Sequence, residues 1–388
     1  DPADPDYLYL GTDRGIWFSS NAGQEWRELR LNLPAVTVTD LEAKHGDLVV
    51  GTRGRSIWVL EDLAALRALK ILPTTTAILA VENGNRFRSD ERWDYPPAGK
   101  IPNAPYGALI SYWLAVEPEG KLELDIRDAS GLLVRTLSSE IEPPKYPKDD
   151  PDEPSGEPKP ELTKEAGFNR VSWDLRMEGA KRLPAKTDGG GVEQGPLAPP
   201  GRYTLTLRGA GADVVGAVVI EADPRAPMTA EDIRQNVAYT LAVRNALDDV
   251  VDHVAEIAAI RTQVGDLRDR LAGDPATAEI VATAGRVLNA CDAIEGELHN
   301  PQAEVSYDLL AGRDGGAKLY SRLAWLYESN DNSDYPPAQG LRDQYDALLI
   351  VLRARQDEIA ALREGDLAIL EKQAKDAGLP RFILPERR

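Results

Sequence analysis

The chain has 388 residues and a formal net charge of −19 at pH 7, from 64 acidic and 45 basic residues. This length exceeds what one hydrophobic core usually serves, so we expect two or three domains. The acidic balance repels phosphate backbones and disfavours nucleic acid as a partner. No apolar run approaches the roughly eighteen residues that a membrane-spanning helix needs, so we expect no membrane span.

Cys291 is the only cysteine, which excludes an internal disulfide and a thiolate metal site but leaves the cellular compartment open. Residue 1 is Asp, and no signal-peptide pattern lies near it. We therefore expect a mature or truncated product.

Residues 7–61 predict short strands separated by turn residues. A ten-residue stretch repeats in this region: 8–17 (LYLGTDRGIW) aligns with the eleven residues 48–58 (LVVGTRGRSIW) if one insertion is allowed. A spacing of about 40 residues is typical of β-propeller blades. The predicted strands are 7–10, 15–18, 26–29, 38–41, 48–50 and 57–60.

The segment 19–26 (SSNAGQEW) resembles the Asp-box turn of bacterial-neuraminidase (BNR) and sortilin-type propellers, which runs Ser-x-Asp-x-Gly-x-Thr-Trp. Ser19, Gly23 and Trp26 match, whereas Asn21 replaces the Asp and Glu25 replaces the Thr. The stretch 47–62 (DLVVGTRGRSIWVLED) resembles the closing blade of large bacterial propeller proteins often labelled glycosyl hydrolases.

The resemblance implies that residues 1–72 are the final, incomplete blades of a propeller. Residues 1–62 would form two incomplete four-stranded blades, with Trp26 filling the gap between neighbouring sheets. Two partial blades cannot close a ring of four to eight, so the remaining blades are expected upstream or on a partner chain.

Residues 73–226 predict a β-sandwich of immunoglobulin or fibronectin type III kind, after a short helix or turn at 63–76. The segments 166–176 (AGFNRVSWDLR) and 197–205 (LAPPGRYTL) resemble two hairpins of the Ig-like domain in the same bacterial family. Two polar insertions, 143–160 and 179–196, are predicted to be mobile loops because Pro, Gly and charge dominate them. The predicted strands are 77–81, 108–116, 121–127, 132–137, 169–175, 202–208 and 214–221.

Residues 227–388 predict an antiparallel helical bundle. Thr229 is the expected N-cap of a first helix of about 40 residues, and Asp274-Pro275 restarts a second helix. A shorter third helix is expected around 319–326, followed by a final helix of about 40 residues from 341. We expect the two shorter helices to return along the long ones, in a self-contained monomeric bundle.

Candidate catalytic and binding groups are few. The three histidines, His45, His253 and His299, show no metal-ligand spacing, and His253 beside Asp252 is expected on a helix surface. No nucleophile elbow, phosphate-binding loop or dinucleotide fingerprint follows a strand. The acidic run 149–153 could bind Ca²⁺, but it lacks the ligand spacing of a Ca²⁺ loop and is interpreted as a solvated loop. We predict no catalytic residue, no cofactor site and no metal site.

Three further candidates are a sialidase-like site, the thiol of Cys291 and a platform of tryptophan side chains. Sialidase-like catalysis needs carboxylates or a Tyr nucleophile on one sugar, which fewer than two blades do not supply. Cys291 is expected to be a buried core thiol. Trp17, Trp26 and Trp58 could form a carbohydrate platform, although packing between blades is favoured.

The sequence therefore predicts a multidomain β-then-α chain that is a non-catalytic interaction or scaffolding region of an exported bacterial propeller protein. Its expected partners are proteins or peptides, with carbohydrate left open, and its expected location is periplasmic or secreted. The alternative is the C-terminal part of a sialidase-like glycosidase whose active site lies in missing upstream blades.

Overall fold

The computed structural model describes residues 1–88, 106–140, 162–183, 191–303, 309, 312, 315–331 and 333–379, which divide into two compact units. The first unit holds the described residues of 1–145 together with 162–175 and 199–226. The second holds the described residues of 176–198 and 227–379. The chain is thus a mixed β and α protein. The predicted division at residues 72 and 73 falls inside the first unit and stays a prediction.

The first unit opens with two antiparallel three-stranded sheets, where two incomplete four-stranded blades were expected; that these sheets are propeller blades stays a prediction. Each predicted strand of 7–60 is present with shifted ends, and no fourth strand completes either sheet within the described residues. One face of each sheet packs into a shared core that includes Ile16, Leu48 and Val50. The first sheet contains β1 (Leu8–Thr12), β2 (Gly15–Ser19) and β3 (Arg27–Glu28), and the second contains β4 (Val38–Lys44), β5 (Asp47–Thr52) and β6 (Ile57–Leu60).

A short helix, α1 (Leu63–Ala68), leads into larger sheets that contain all seven strands predicted for 73–226. The strands are β7 (Ala77–Ile78), β8 (Gly84–Arg86), β9 (Ala108–Leu114), β10 (Glu123–Arg127), β11 (Leu133–Ser138), β12 (Gly167–Trp173), β15 (Gly201–Arg208) and β16 (Val214–Ala222). They form a five-stranded sheet of order β11-β10-β15-β16-β8 and a three-stranded sheet of order β12-β9-β7. Strand β8, which was not predicted, pairs in parallel with β16. An Ig-like topology stays a prediction.

The insertion 179–196 is not wholly the mobile loop that its composition predicts. Strands β13 (Arg176–Glu178) and β14 (Gln194–Leu197) pair as a hairpin in the second unit. Ala180, Leu183 and Val192 are buried in the core of that unit. Burial of these apolar side chains holds the segment in place although the residues around them are mostly polar. Residues 184–190 and the other insertion, 143–160, lie outside the described residues.

The second unit carries the predicted helices. Helix α2 begins after Thr229, whose hydroxyl accepts a hydrogen bond from the Asp232 backbone N–H while the Asp232 carboxylate accepts one from Thr229, as in a capping box. A 3₁₀ turn at Pro275–Thr277 then starts the second helix, as Asp274-Pro275 indicated. The helices are α2 (Ala230–Leu271), α3 (Ala278–Leu298), α4 (Leu319–Asp331), α5 (Gln339–Leu362) and α6 (Ala368–Asp376).

Helix–helix contacts fix the direction of each helix. The Tyr239 hydroxyl donates to the Leu341 carbonyl and the Tyr345 hydroxyl to the Ala242 carbonyl, so α2 and α5 run parallel. Arg286 pairs with Asp366, and Gln373 donates to Glu279, so α3 runs opposite to the α5–α6 segment. These contacts are those expected if shorter helices return along the long ones.

The final helix is interrupted, where one continuous helix was expected. A π-helical turn at Arg363–Leu367 joins α5 to α6, and Gly365 has non-helical dihedrals (φ −97°, ψ −109°). A residue without a side chain adopts such dihedrals more readily than others do, and π turns are a recognised cause of bends. The apolar stripe passes through this point unchanged, because Leu362, Leu367 and Leu370 are all buried.

Candidate functional site

Hydrogen bonds of the Ser19 and Asn21 side chains stabilise the turn after β2. The Ser19 hydroxyl accepts from the backbone N–H of Gly23 at 2.9 Å and donates to the Asn21 side-chain oxygen at 2.9 Å. That oxygen also accepts from the Glu25 N–H at 2.9 Å. The side-chain oxygen of Asn21 therefore accepts hydrogen bonds within the turn, as a carboxylate oxygen of Asp at this position could. Gly23, at φ 88°, supplies the left-handed conformation that closes the turn.

Each of the two small sheets has exposed apolar residues on a face that no other described residue covers, and we call these the outer faces. On the first sheet Leu10 lies opposite Trp17, and these side chains are 47% and 39% exposed. On the second sheet Ile57 and Val59 are 67% and 52% exposed. Contiguous exposed apolar residues on a sheet are a feature of protein interaction surfaces. Leu8 and Trp26 complete the outer face of the first sheet.

Trp26 does not lie in the core shared by the two small sheets, and its expected place between neighbouring blades stays a prediction. Its side chain is 37% exposed and lies over the turn, close to Gly23. Nor do the three candidate tryptophans share one platform. Trp58 packs against the common core, and its indole N–H donates to the Arg55 carbonyl, while Trp17 is on the outer face.

A buried polar network links the second small sheet to the larger sheets of the first unit. Asp62, in the left-handed conformation, caps α1 by accepting from the Ala65 N–H. Its carboxylate accepts from the Ser111 hydroxyl and from the Arg170 guanidinium, both at 3.4 Å, and its own N–H donates to Asp47. Because Asp62 and Ser111 have almost no exposed surface, the network joins strands and does not face a substrate.

Carboxylates near this network have raised pKa values. Desolvation raises the pKa of Asp62, against the lowering effect of Arg170. Desolvation and the charges of Asp62 and Asp47 raise the pKa of Glu82, which lines a cavity of about 230 Å³ with His45 and Arg67. Such shifts also occur at catalytic sites. Here the deepest carboxylate, Asp62, is enclosed by its hydrogen-bond partners.

Of the predictions for His253 and Cys291, the first is wrong and the second is confirmed. His253 is 5% exposed, so the expectation of a surface position was wrong. It follows Val250 by three residues and precedes Ile257 by four, which places it on the apolar stripe of α2. Cys291 is fully buried as predicted, and burial raises the pKa of its thiol to about 11, so it is a poor nucleophile.

An open groove of about 980 Å³ lies between α3 and the α5–α6 segment. Small side chains line both walls: Ala290 and Ala293 on α3, and Ala361 and Gly365 on the other. Ile294 and Leu362 form its floor, and Ile369 at one end is 48% exposed. The rim carries Glu297, Arg355, Glu358 and Asp366.

The sequence offered uneven signals for these surfaces. Leu8 to Leu10 and Ile57 to Leu60 are apolar at consecutive positions, which indicates two apolar strand faces. The groove had no such signal, because alanine does not contrast with a helix surface and the bend at Gly365 is a tertiary feature.

The described residues hold no group of three or more His, Cys, Asp or Glu side chains arranged to bind a metal ion. Over the same residues, no helix is long and apolar enough to cross a membrane. No family model, curated protein or solved structure matches the chain.

Proposed function

We propose that this chain is a non-catalytic interaction region of an exported bacterial β-propeller protein, and that its first residues are the last blades of that propeller. The observation that carries the proposal is the pair of outer faces. Two sheets share one core, and each has exposed apolar residues on its second face, which has no covering layer among the described residues. In a closed propeller ring, each blade is covered on both faces by its neighbours. Two consecutive blades without the rest of the ring cover each other on one side, and each would keep one uncovered face.

Two further observations support the architecture. The turn at Ser19 and Asn21 is stabilised as in an Asp-box. In the larger sheets, the Tyr203 hydroxyl donates to the Pro199 carbonyl at 2.6 Å, as in the tyrosine corner of Ig-like sandwiches. The partner of the outer faces would be further sheets, upstream or on another chain, and the region as a whole would bind protein or peptide in the periplasm or outside the cell.

The outer faces can be tested by cysteine labelling, because Cys291 is buried and unreactive. A Leu10→Cys variant should react rapidly with a maleimide in the isolated chain. In the protein purified whole from its bacterial envelope, covering sheets should slow the reaction by about a hundredfold, since labelling then requires local opening. Arg202→Cys, exposed on β15, is the matched control and should react equally in both samples. Equal rates for Leu10→Cys in the two samples would refute the proposal.

The glycosidase alternative makes a separate prediction. If the active site lies in missing blades, the whole envelope protein hydrolyses a fluorogenic sialoside and the isolated chain does not. If neither hydrolyses it, the sialidase alternative is excluded. Turnover by the isolated chain that a single carboxylate substitution abolishes would overturn the non-catalytic proposal.

A further inference from the structure

We infer that two adjacent turns of the first unit bind the carboxylates of an acidic segment of a partner protein. The turns are 12–15, between β1 and β2, and 52–56, between β5 and β6. We call them the arginine turns, because they carry Arg14, Arg53 and Arg55. This goes beyond the proposed function, because it assigns a binding site to the ends of strands, whereas the outer faces would be covered by further sheets.

The sequence repeat gives both arginine turns the same closing hydrogen bond. The Thr12 hydroxyl donates to the Gly15 carbonyl at 3.0 Å, and the Thr52 hydroxyl donates to the Ser56 carbonyl at 2.6 Å. Gly54, at φ 89°, supplies the left-handed conformation that the longer turn needs. The backbone that carries the arginines is therefore held before a ligand arrives, which reduces the entropy lost on binding.

Thr37 joins the two arginine turns. Its hydroxyl donates to the Asp13 carbonyl at 3.3 Å, and its carbonyl accepts from the Arg53 N–H at 2.9 Å. The strands behind the turns also pack closely, since a Cβ atom added at Gly11 would lie 2.7 Å from the Val38 side chain. The three arginines therefore lie at one end of the two small sheets.

These three arginines are exposed, and none of them forms an ion pair with a described residue. Other arginines of the same unit differ in this respect, because Arg67 and Arg170 each pair with an aspartate. Asp13 and Asp40 lie at the same end of the sheets, so the cations outnumber the nearby carboxylates. An unpaired guanidinium group presents a planar set of donors that fits a carboxylate, and the arginine turns therefore select an acidic ligand.

The surroundings of the arginine turns favour a polypeptide over other anions. Ile57 follows Arg55 by two residues and is 67% exposed, so an aliphatic side chain lies beside the cations. A polypeptide offers carboxylates and apolar side chains together, whereas an acidic polysaccharide has no aliphatic side chains. In an extended polypeptide, alternate side chains lie on one side about 7 Å apart, so acidic residues at every second position present a row of carboxylates.

The net charge of −19 does not prevent this contact. At physiological ionic strength, screening limits the repulsion from each exposed carboxylate to roughly 8 Å. The charge next to the ligand therefore decides the interaction, and at the arginine turns that charge is positive.

The test uses the full chain and a fluorescein-labelled peptide of about fifteen residues, with glutamate at every second position and valine or serine between the glutamates. Fluorescence anisotropy should show saturable binding that weakens as salt is added, because exposed ion pairs are screened. The same peptide with glutamine in place of every glutamate should bind at least about tenfold more weakly.

A triple variant locates the binding. Arg14→Gln, Arg53→Gln and Arg55→Gln together should weaken binding of the glutamate peptide at least about tenfold, because each exposed ion pair contributes up to a few fold. The three side chains are exposed, so the variant should keep the melting temperature of the native chain.

The matched control replaces three other exposed arginines with glutamine: Arg202, Arg322 and Arg353. None of these forms an ion pair with a described residue either. The control changes the net charge by the same amount as the triple variant, so it separates a local site from the charge of the whole chain. It should leave binding within about twofold.

The inference is overturned if the glutamine peptide binds as tightly as the glutamate peptide, or if the triple variant binds no more weakly than its control. A polygalacturonate oligomer of equal charge distinguishes a polysaccharide from a polypeptide, and it should bind more weakly than the glutamate peptide. Tighter binding of this oligomer, lost in the triple variant, would overturn the assignment to a protein partner. None of these results would alter the labelling of Leu10→Cys, so the two proposals fail independently.

Discussion

The two units differ in how fully their apolar side chains are buried. In the second unit, stripes on α2 and α3 are buried by neighbouring helices, with Val243, Leu247, Val250 and Val287 fully or almost fully covered. In the first unit, two short sheets bury one face and leave Leu10, Ile57 and Val59 on the other. A helix turns its apolar residues to one side, whereas a strand that is apolar at every position must be covered on both. The stripes of α2 and α3 are therefore covered within the second unit, whereas no described residue covers the outer faces of the small sheets.

The sharpest comparison is between two Leu→Ala substitutions. Leu247→Ala should lower the free energy of unfolding of the second unit by about 3 to 5 kcal/mol, because Leu247 is fully buried and leaves a cavity. Leu10→Ala should change that of the first unit by less than about 1 kcal/mol, since its side chain is 47% exposed. Denaturant titration followed by circular dichroism and tryptophan fluorescence measures both. Similar losses for the two variants would mean that the outer face is already covered.

A buried ion pair gives a smaller effect in the second unit. Arg363 pairs with Glu256, which is 3% exposed, so Arg363→Met should destabilise the unit by about 2 kcal/mol by removing the cation from a buried carboxylate. The double variant Glu256→Met with Arg363→Met should regain most of that loss. A double variant less stable than the single one would show that Glu256 stabilises the bundle through other contacts.

In the first unit, Ser19→Ala tests whether the turn after β2 is specified by its side chains. The hydroxyl of Ser19 makes hydrogen bonds with Asn21 and Gly23 and is buried, so its loss should cost about 1 to 2 kcal/mol in thermal or denaturant unfolding. Ser20→Ala is the adjacent control, with an expected change near zero. If the two variants are equally stable, the side chain of Ser19 does not stabilise the turn, and the backbone alone determines it.

The smallest expected effect is a pH dependence. The pKa of Glu82 is raised in the folded protein, so the folded state holds its proton to higher pH than the unfolded state does. The free energy of unfolding of the first unit should therefore fall as pH rises from the ordinary carboxyl pKa of about 4 through the raised one. Glu82→Gln should make this fall shallower, measured as denaturant midpoints at successive pH values. A steeper fall would contradict the sign of the shift.

Much of the helical unit followed from local sequence. Thr229 with Asp232 fixed the start of α2, Asp274-Pro275 separated α2 from α3, and the stripe through Val250 and Ile257 fixed the buried side. These features are local because a helix is built from contacts three and four residues apart. The same stripe passes through His253 and indicates a buried position, whereas the polar character of histidine favours a surface position.

The strands of the first unit, apart from β8, were also predicted within a few residues, because turn residues separate short apolar runs. Their partners were not, since strand pairing joins residues far apart in the chain: β8 pairs with β16, and Asp62 meets Ser111 and Arg170. The polar stretch 179–196 was misjudged for the same reason, because burial of Ala180, Leu183 and Val192 depends on the helices that receive them.

What the sequence alone determined is the order of most elements, the capped start of α2, the apolar sides of the long helices and the turn at Ser19 and Asn21. Only the tertiary structure decided which apolar faces are covered. Exposure of Trp26, the bend at Gly365 and the groove beside Ala361 arise where separate elements meet or fail to meet. Local propensity acts over a few residues, whereas burial is a property of the assembled surface.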